Sequence, residues 1–313
     1  MKVLHVVSTL AQSLGGPSAS VAALTTAQVR RGMRVSICFL DFRSDSGGNA
    51  PTAPDVQLHP TPAPSWQRAK YSLSRRFARS IATAASKHDV LHIHGIWGPA
   101  LRASFGTIRR ARLPYVIAPR GMLNPVALSR ARCKKRIAFE LYVRRAFRGS
   151  HAFHALNTQE ARHIRALPFQ NPVAIIPNGV HLPSSPAAET TEADDAVLSG
   201  DLADIIHKRR PYILFLGRVH PVKNIPALIS AWTRLQRDYP HWSLVIAGPD
   251  ETGILSDIRR GIPHGESRVL FPGPVYGQLK AALFRHATIF CLPSETEGFS
   301  NAVLEALAWR LPV

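Results

Sequence analysis

A regular alternation of short apolar strands with longer helical segments is the feature of this chain that most restricts its fold. In the first half, the strand segments are rich in β-branched residues and end in Gly, Pro, Asn or His. The predicted strands there are Lys2–Ser8, Val35–Asp41, Val90–His94, Tyr115–Ala118, Ala152–Leu156 and Val173–Ile176. The helical segments between most of them lie near residues 18–31, 66–87, 98–111, 124–147 and 158–166. This alternation predicts a parallel sheet covered by helices on both faces.

The second half repeats the pattern. Its predicted strands are Tyr212–Leu216, Leu244–Ala247, Val269–Phe271 and Ile289–Leu292, and its helices lie near residues 225–237, 254–260, 276–286 and 301–310. Two segments interrupt the alternation: the acidic segment 183–210 predicts a linker or exposed insertion, and the Pro/Gly-rich segment 43–65 predicts a mobile loop. The 313-residue length suits two domains of roughly 150 residues each. We therefore expect an α/β fold with two Rossmann-like domains, residues 1–182 and 211–313, that face a cleft.

The last residues of the sequence, 311–313, resemble the start of another strand. If the second domain uses the common strand order 3-2-1-4-5-6, its fifth and sixth strands are absent. The apolar strand Ile289–Leu292 would then be an exposed edge. The sequence therefore predicts an incomplete second domain and a C-terminally truncated chain.

The net charge of +19 is concentrated in one part of the first domain. Residues 66–148 sum to +17, whereas residues 149–313 sum to zero. A patch of this kind favours polyanionic partners. No segment approaches the ~20 apolar residues of a membrane-spanning helix. The three cysteines are too few for a disulfide framework, which favours a reducing cytoplasm.

The helices predicted near 66–87 and 124–147 carry most of this charge, with aromatic and aliphatic residues between the cations. This composition suits the interface of an anionic membrane. The alternative is an ordinary solvated basic face. Nucleic acid is not favoured as a partner, since no recognised nucleic-acid motif accompanies the charge.

Two strand ends in the second half carry candidate binding residues. The first strand ends in Gly217-Arg218, and Lys223 follows. Two cations at a strand tip are what a departing diphosphate requires, because its negative charge grows as the sugar–phosphate bond breaks. By itself, such a pair also occurs as an ordinary surface feature.

The fourth strand leads into Glu297-Gly298-Phe299-Ser300-Asn301, with Glu305 inside the following helix. Ser300 is the predicted N-cap, and the free amides after Gly298 would point at a phosphate or hydroxyl. Glu297 and Glu305 could bind different hydroxyls of one ligand. The alternative is an ordinary helix start whose acids complement the helix dipole.

Taken together, these motifs resemble glycosyltransferase family 4, or group 1, which has the two-Rossmann GT-B architecture. The matching residues are Gly217-Arg218, Lys223, Glu297-Gly298-Phe299 and Glu305, in order and on the expected elements. The resemblance covers essentially the whole chain. It implies retention of anomeric configuration, no divalent metal and no cofactor, with a UDP- or GDP-sugar as donor. It also implies that Arg218 and Lys223 hold the diphosphate, Glu297 the transferred sugar and Glu305 the ribose.

The first domain adds residues to this resemblance. Gly15-Gly16 would correspond to the family's N-terminal glycine loop and approach the donor. His94 would contact the donor sugar, while His92 would be buried support; a metal on these two histidines lacks an evident third ligand. Arg120, in a loop common in enzymes of surface-polysaccharide synthesis, is our candidate for contact with an acceptor phosphate.

The sequence departs from the family in two further places. His181 stands where the family usually has Asp, and Arg310 stands where it usually has Gly before a tight turn. The resulting hypothesis is a peripheral enzyme of the inner membrane face. It would transfer a hexose to a lipid-linked saccharide in exopolysaccharide, capsule or O-antigen synthesis. Three alternatives stay open: an inactive remnant of such an enzyme, a nicotinamide-dependent enzyme, and a basic membrane-binding scaffold.

Overall fold

The structure is a computed structural model in two compact units, Met1–Gly179 (unit 1) and Val180–Val313 (unit 2). Its described residues are 1–11, 16–42, 53–63, 74–110, 113–129, 131–183, 198, 200–250, 252–262 and 268–313. Each unit contains its own parallel sheet. Among these residues, no helix is both long enough and apolar enough to cross a membrane.

Unit 1 is built on a seven-stranded sheet with the order β3-β2-β1-β4-β5-β6-β7. The strands are β1 (Lys2–Val6), β2 (Arg34–Phe42), β3 (Gln57–Ala63), β4 (Val90–His94), β5 (Tyr115–Ala118), β6 (Ala152–Ala155) and β7 (Val173–Ile175). All neighbouring pairs are parallel. The prediction of a parallel α/β sheet is confirmed.

Helices flank these strands in unit 1. They are α1 (Gly16–Arg30), α2 (Arg75–Ala85), α3 (Pro99–Arg110), α4 (Pro125–Ser129), α5 (Arg132–Ala138), α6 (Arg144–Arg148) and α7 (Thr158–Arg165). Successive residues of β2 point to opposite faces of the sheet. Ile37 packs in one buried cluster, and Cys38 packs in another. Both faces of the sheet are therefore covered, as parallel sheets require.

The prediction of a loop over residues 43–65 is wrong for its last part, because residues 57–63 form strand β3. This strand pairs with β2 from Ser36↔Gln57 to Phe42↔Ala63. Pro60 and Pro62 lack backbone N–H groups, and their spacing of two puts both missing donors on the same side of the strand. An edge strand tolerates this, and β3 is an edge strand. Residues 43–52 and 64–65 lie outside the described residues.

The single helix predicted over 124–147 is also wrong, because this segment is broken into pieces. Ala131, with φ 53°, takes the left-handed conformation and separates α4 from α5. A π-helical turn, Phe139–Val143, then separates α5 from α6. For a non-glycine residue, the left-handed conformation costs about 1–2 kcal/mol and interrupts a right-handed helix. Of the helix predicted near 66–87, residues 75–85 form α2, and residues 64–73 are outside the described part of the chain.

Unit 2 contains a four-stranded parallel sheet with the order β10-β9-β8-β11. Its strands are β8 (Tyr212–Leu216), β9 (Ser243–Ala247), β10 (Val269–Gly273) and β11 (Ile289–Phe290). Its helices are α8 (Gly200–His207), α9 (Ile225–Leu235), α10 (Leu255–Arg260), α11 (Gly277–His286) and α12 (Asn301–Ala308). Strand β11 is shorter than predicted, and its Phe290 amide donates to the carbonyl of Pro312 at 2.8 Å.

Helix α8 lies within the segment 183–210, which the sequence predicts as a linker or insertion. Leu202, Ile205 and Ile206 of this helix are buried in the core of unit 2. Their spacing of three and four residues places them on one helical face. The acidic composition of the whole segment concealed this apolar stripe, so residues 200–207 belong to the packed unit. Residues 184–197 and 199 lie outside the described residues.

Candidate active site

In unit 2, the carboxyl ends of β8 and β9 approach each other closely. The Gly217 amide donates to the Ala247 carbonyl at 3.0 Å. Gly248 follows β9 with φ +143°, and a Cβ atom there would lie 1.9 Å from the Gly217 carbonyl oxygen. Only glycine fits at position 248. The sequence reasoning overlooked this residue, although a glycine directly after a buried strand is a usable signal. Arg218 is half-buried at the same strand end.

Lys223 and Glu297, predicted to bind different parts of a donor, form an ion pair with each other. Their side chains are 14% and 31% exposed. A short 3₁₀ turn, Pro221–Lys223, places the lysine, and His220 Nδ1 accepts a hydrogen bond from an amide of this turn. The Glu295 amide donates to the Val222 carbonyl at 3.0 Å. The loop after β11 is therefore tied to the loop after β8, and the two charges meet where these loops join.

The start of α12 has the predicted geometry. The Ser300 hydroxyl accepts a hydrogen bond from the Val303 amide at 3.3 Å, which confirms Ser300 as the N-cap. Gly298 and Phe299 precede the cap, and Asn301 is the first helical residue. All of them are half-buried. This helix start carries the positive end of the helix dipole, so it can attract an anion.

Glu305, predicted to bind ribose, lies on α12 and is paired with Lys280 on α11. The two charged atoms are 2.7 Å apart, and the side chains are 27% and 30% exposed. The sequence reasoning missed Lys280. No local pattern could have found it, because the pair is set by how two helices separated by a strand pack together.

In unit 1, His94 ends strand β4 and is the centre of a buried hydrogen-bond network. Its Nδ1 accepts from Arg120, with Nη2 at 3.0 Å and Nε at 3.3 Å. Its Nε2 lies 2.9 Å from His5 Nδ1. The other nitrogen of His5 lies 2.7 Å from Gln28 Oε1. Both nitrogens of His94 are therefore engaged within the protein, and its side chain is only 2% exposed.

Arg120 is placed by the loop that follows β5. It has φ 58°, and its Nη1 donates to Asn178 Oδ1 at 2.7 Å. Burial lowers the pKa of its guanidinium to about 10, and the charge of Glu160 partly counters this shift. The Glu160 carboxylate accepts from the amides of Gly121 at 2.6 Å and Leu156 at 2.7 Å. Glu160, which the sequence reasoning also missed, therefore holds the Arg120 loop against the end of β6.

A second histidine pair lies beside this network. His154 Nε2 donates to the Ile176 carbonyl at 2.8 Å, so its Nδ1 accepts from His92 Nε2 at 3.2 Å. Burial lowers the pKa of His154 to about 4, and it lowers the pKa of His92 well below the ordinary value. Both imidazoles are neutral at physiological pH. His92 itself is half-buried, so its predicted role as buried support stays a prediction.

The structure also supplies the third histidine that the sequence did not reveal. His5 pairs in register with His92 on the neighbouring strand, and His94 lies two residues further on the same face. One nitrogen from each lies within 4.8 Å of the others. However, Arg120 donates to His94 Nδ1, and His94 Nε2 is hydrogen bonded to His5. A cation there would have to displace these bonds beside the positive charge of Arg120, so the geometry does not favour a metal.

Three further predicted positions can be located. Gly16 is the exposed first residue of α1, and Gly15 lies outside the described residues. Arg310 has φ 61° and closes α12 in the left-handed conformation. His181 is exposed and belongs to unit 2.

Two family descriptions match the chain and together account for most of it. The description "Glycosyl transferase 4-like domain" matches residues 15–179, and "Glycosyl transferases group 1" matches residues 210–313. The first match covers more than half of the chain and contains His92, His94, Arg120 and His154. The second contains Lys223, Glu297 and Glu305.

Relatives of known sequence point the same way. A D-inositol 3-phosphate glycosyltransferase of Kineococcus radiotolerans is 26% identical over 321 residues, covering 96% of this chain and 72% of the relative. An uncharacterized glycosyltransferase of Haemophilus influenzae is 30% identical over 102 residues, covering 32% of this chain. The chain spans only 28% of the length of that Haemophilus protein.

Solved structures resemble the fold across the whole chain. The sucrose-phosphate synthase of Thermosynechococcus elongatus has a TM-score of 0.73 at 16% identity, covering 100% of this chain and 80% of that one. The Anabaena protein HepE, in complex with UDP-glucose, has a TM-score of 0.69 at 18% identity, covering 100% and 79%. At these identities the likeness concerns the fold. With both halves matched by the family descriptions, the chain belongs to the group 1 glycosyltransferases of GT-B-like fold.

Proposed function

We propose that this protein transfers a hexose, with retention of configuration, from a UDP- or GDP-sugar to a lipid-linked saccharide. The observation that carries the donor half is the Lys223–Glu297 ion pair beside the N-terminus of α12. It puts a cation, a carboxylate and the positive end of a helix dipole at one place. A nucleotide-diphosphate sugar offers the matching groups: phosphates for the cation and amides, and hydroxyls for the carboxylate.

The ion pair gives these residues a defined starting geometry. A diphosphate that approaches Lys223 would share it with Glu297, so the carboxylate becomes available to the sugar hydroxyls as the phosphate binds. Arg218, at the end of β8, would add a second cation. Glu305 would accept hydrogen bonds from the ribose while Lys280 holds it in place. The HepE structure contains UDP-glucose, which supports a donor of this class.

The proposed reaction needs no protein nucleophile. The acceptor hydroxyl oxygen forms a bond to the anomeric carbon while the bond from that carbon to the phosphate oxygen breaks. The acceptor proton moves to the departing phosphate oxygen on the same face of the sugar. Lys223, Arg218 and the α12 amides stabilise the negative charge on the leaving diphosphate. In this scheme these groups take the place of a divalent metal.

For the acceptor we propose unit 1. Arg120 is a half-buried cation at the carboxyl end of its sheet, which suits recognition of an acceptor phosphate. The predicted contact of His94 with the donor sugar stays a prediction. It would require one of the two hydrogen bonds made by His94 to break.

A basic apolar surface on unit 1 supports the proposed membrane partner. We define this surface as the exposed residues of 132–148. Ile137 is 61% exposed and Leu141 is 63% exposed. Exposed cations surround them: Arg132, Lys134, Arg136, Arg144, Arg145 and Arg148. Exposed apolar residues among cations suit the interface of an anionic membrane, each cation contributing about 1 kcal/mol. This surface supports our proposal that the enzyme acts at the inner face of the cell membrane.

Thermal unfolding with UDP or GDP, in EDTA, tests the donor proposal. A nucleotide at 100 times its dissociation constant adds about 2.7 kcal/mol of stability, which raises Tm by roughly 5–11 °C, at about 2–4 °C per kcal/mol. A rise with one nucleotide supports the site and identifies the base. No rise with either nucleotide would contradict the proposal, and a rise that requires Mg²⁺ would contradict metal independence.

Flotation with vesicles of phosphatidylglycerol and phosphatidylcholine tests the membrane proposal. We expect binding at low salt, and we expect Ile137→Ser with Leu141→Ser to abolish it. The matched control is Leu307→Ser, which removes a 55% exposed leucine from unit 2. Absence of binding at low salt, or equal loss in the control, would remove the membrane from the proposal.

A further inference from the structure

We propose that Gln28 and His5 are positioning residues for Arg120, acting through a hydrogen-bond chain whose direction is fixed at both ends. The chain runs from Arg120 through His94 and His5 to Gln28. It begins at the carboxyl end of the unit 1 sheet and ends on helix α1. This inference rests on the proposed function only for the identity of the anion that Arg120 meets.

The direction of the chain follows from the chemistry of its ends. A guanidinium has five N–H donors and no acceptor. Arg120 therefore donates to His94 Nδ1, and this nitrogen carries no proton. At the other end, the Gln28 Oε1 atom can only accept. Since Oε1 lies 2.7 Å from His5 Nε2, that nitrogen must carry a proton.

The two ends together determine the middle of the chain. His94 is neutral with an unprotonated Nδ1, so its proton is on Nε2 and is donated to His5 Nδ1 at 2.9 Å. His5 Nδ1 accepts this bond, so the single proton of His5 is on Nε2, which is what Gln28 requires. Both histidines are the Nε2–H tautomer, and every link in the chain has one donor and one acceptor.

The surroundings hold both histidines neutral. His5 is 0% exposed and His94 is 2% exposed. Burial lowers the pKa of His5 to about 4 and that of His94 well below its ordinary value. The titratable groups around them act in the same direction: Arg120, His92 on β4, His154 on β6 and His88 before β4. The Gln28 hydrogen bond opposes this shift without reversing it.

Through the hydrogen-bond chain, the position of Arg120 depends on Gln28. Without an acceptor at residue 28, the buried Nε2–H of His5 loses its partner. If His5 moves its proton to Nδ1, two N–H groups face each other between His5 and His94. His94 then relieves the conflict by moving its own proton to Nδ1, where it meets the donors of Arg120. The guanidinium loses its acceptor and keeps only Asn178.

NMR correlation of the imidazole nitrogens with their ring protons tests the chain directly, because it reports which nitrogen carries the proton. In the wild-type protein we expect both His5 and His94 to be protonated at Nε2 and unprotonated at Nδ1 near pH 7. Gln28→Met keeps the side-chain length and removes the acceptor, so we expect the His94 signals to change. Gln28→Glu restores an acceptor, and we expect it to recover the Nε2–H form of His94.

The matched control is Thr26→Val, a buried neighbour on α1 whose hydroxyl bonds only within its own helix, to the Ala22 carbonyl. If the effect of Gln28→Met is specific to the hydrogen-bond chain, Thr26→Val leaves the signals of His5 and His94 unchanged. A wild-type His94 that is protonated at Nδ1 overturns the proposal. A folded Gln28→Met variant with unchanged His94 signals also overturns the proposal. If Gln28→Met does not fold, the spectra of the wild-type protein and of Gln28→Glu still test the proposed tautomers of His5 and His94.

The same variants separate this inference from the proposed function. Gln28 lies in unit 1, so Gln28→Met should leave the UDP- or GDP-induced rise in Tm unchanged and lower transfer to the acceptor on the order of 10- to 100-fold. Gln28→Glu should recover most of that loss. If the wild-type protein shows these tautomers but binds no nucleotide, the donor proposal is refuted and the proposed hydrogen-bond chain is still supported.

Discussion

The two units present charge at their strand ends in opposite ways. In unit 1, a half-buried cation, Arg120, is held by uncharged acceptors, His94 and Asn178. In unit 2, two half-buried lysines are each paired with a carboxylate, Lys223 with Glu297 and Lys280 with Glu305. The strand orders begin alike, since β3-β2-β1-β4 in unit 1 corresponds to β10-β9-β8-β11 in unit 2. A shared topology therefore does not dictate a shared electrostatic design.

This difference predicts how each site responds to its ligand. Paired charges can exchange partners, so the ion pairs of unit 2 can open around a charged donor without leaving a bare charge. A cation held by neutral groups has no such exchange, and its guanidinium keeps its full charge for an incoming anion. Unit 2 is thus suited to bind and release a diphosphate, and unit 1 to hold one cation in a fixed place.

The largest expected effect comes from removing a partner in unit 2. Glu297→Ala should lower transfer by about 10²–10³-fold, because the sugar loses an oriented carboxylate, while UDP or GDP binding is largely kept. Steady-state rates with nucleotide binding by calorimetry measure both quantities. Glu295→Ala, an exposed acid in the same loop, is the control and should retain activity. Near wild-type transfer by Glu297→Ala would remove that residue from the mechanism.

The next effect is a difference in stability between the two units in mild acid. The pKa of His5 is about 4 when folded and about 6.5 in an unfolded chain. Between these values the unfolded state binds more protons, so stability falls as pH drops from 6.5 to 4 and then levels off. For His5 alone the loss is about 3 kcal/mol at most. Among the described residues of unit 2, none of the histidines is buried.

Hydrogen exchange at pH 7 and pH 4.5 measures this difference. We expect peptides from β1, β4 and β6 to lose protection, corrected for intrinsic rates, while peptides from β8 and β9 lose less. His5→Gln should be less stable at pH 7 and should show a smaller additional loss on acidification. Equal losses in the two units would contradict the comparison.

The fold and the unit 2 site were largely predictable from the sequence, because they depend on local patterns. Strand–helix alternation specified the parallel sheets. The spacing of Glu297, Ser300 and Glu305 specified a helix start with two carboxylates. Each of these signals lies within about ten residues, where backbone propensity and capping act.

The network in unit 1 was not predictable in the same way. Gln28, His5 and Asn178 come together only because α1, β1 and the segment after β7 lie near one another in the folded unit. Strand β3 was missed because its two prolines suggest a loop, and only its edge position makes them acceptable. Where a residue's role depends on distant neighbours, sequence spacing carries little information.

A smaller effect should follow from Lys280→Met, which releases Glu305. The pair is about one-third exposed, so its contribution is about 0.5–1 kcal/mol, a two- to fivefold weaker affinity for UDP or GDP. Lys208→Met, which breaks the exposed Lys208–Asp204 pair of the same unit, is the control and should leave affinity unchanged. Calorimetry measures both. Unchanged affinity in Lys280→Met would mean that the pair does not orient Glu305.

The last comparison concerns two arginines in the left-handed conformation, Arg310 in unit 2 and Arg120 in unit 1, and the change at Arg310 is expected to be small. Arg310 is exposed and closes α12: its amide donates to the Leu307 carbonyl, and the Leu311 amide donates to the Ala306 carbonyl. Glycine is favoured at this position of a helix end. Arg310→Gly should therefore raise stability by about 0.5–1 kcal/mol, measured by urea unfolding.

Arg120 has the same backbone strain, but its side chain has a different environment. Arg120→Gly relieves the strain but removes the donor to His94 Nδ1, a buried acceptor, at a cost of about 1–3 kcal/mol, and it also removes the hydrogen bond to the half-buried Asn178. Its stability should fall while that of Arg310→Gly rises. If both substitutions stabilise the protein, the hydrogen bonds of Arg120 contribute less than the strain of its backbone, and the contrast between the two units does not extend to their stability.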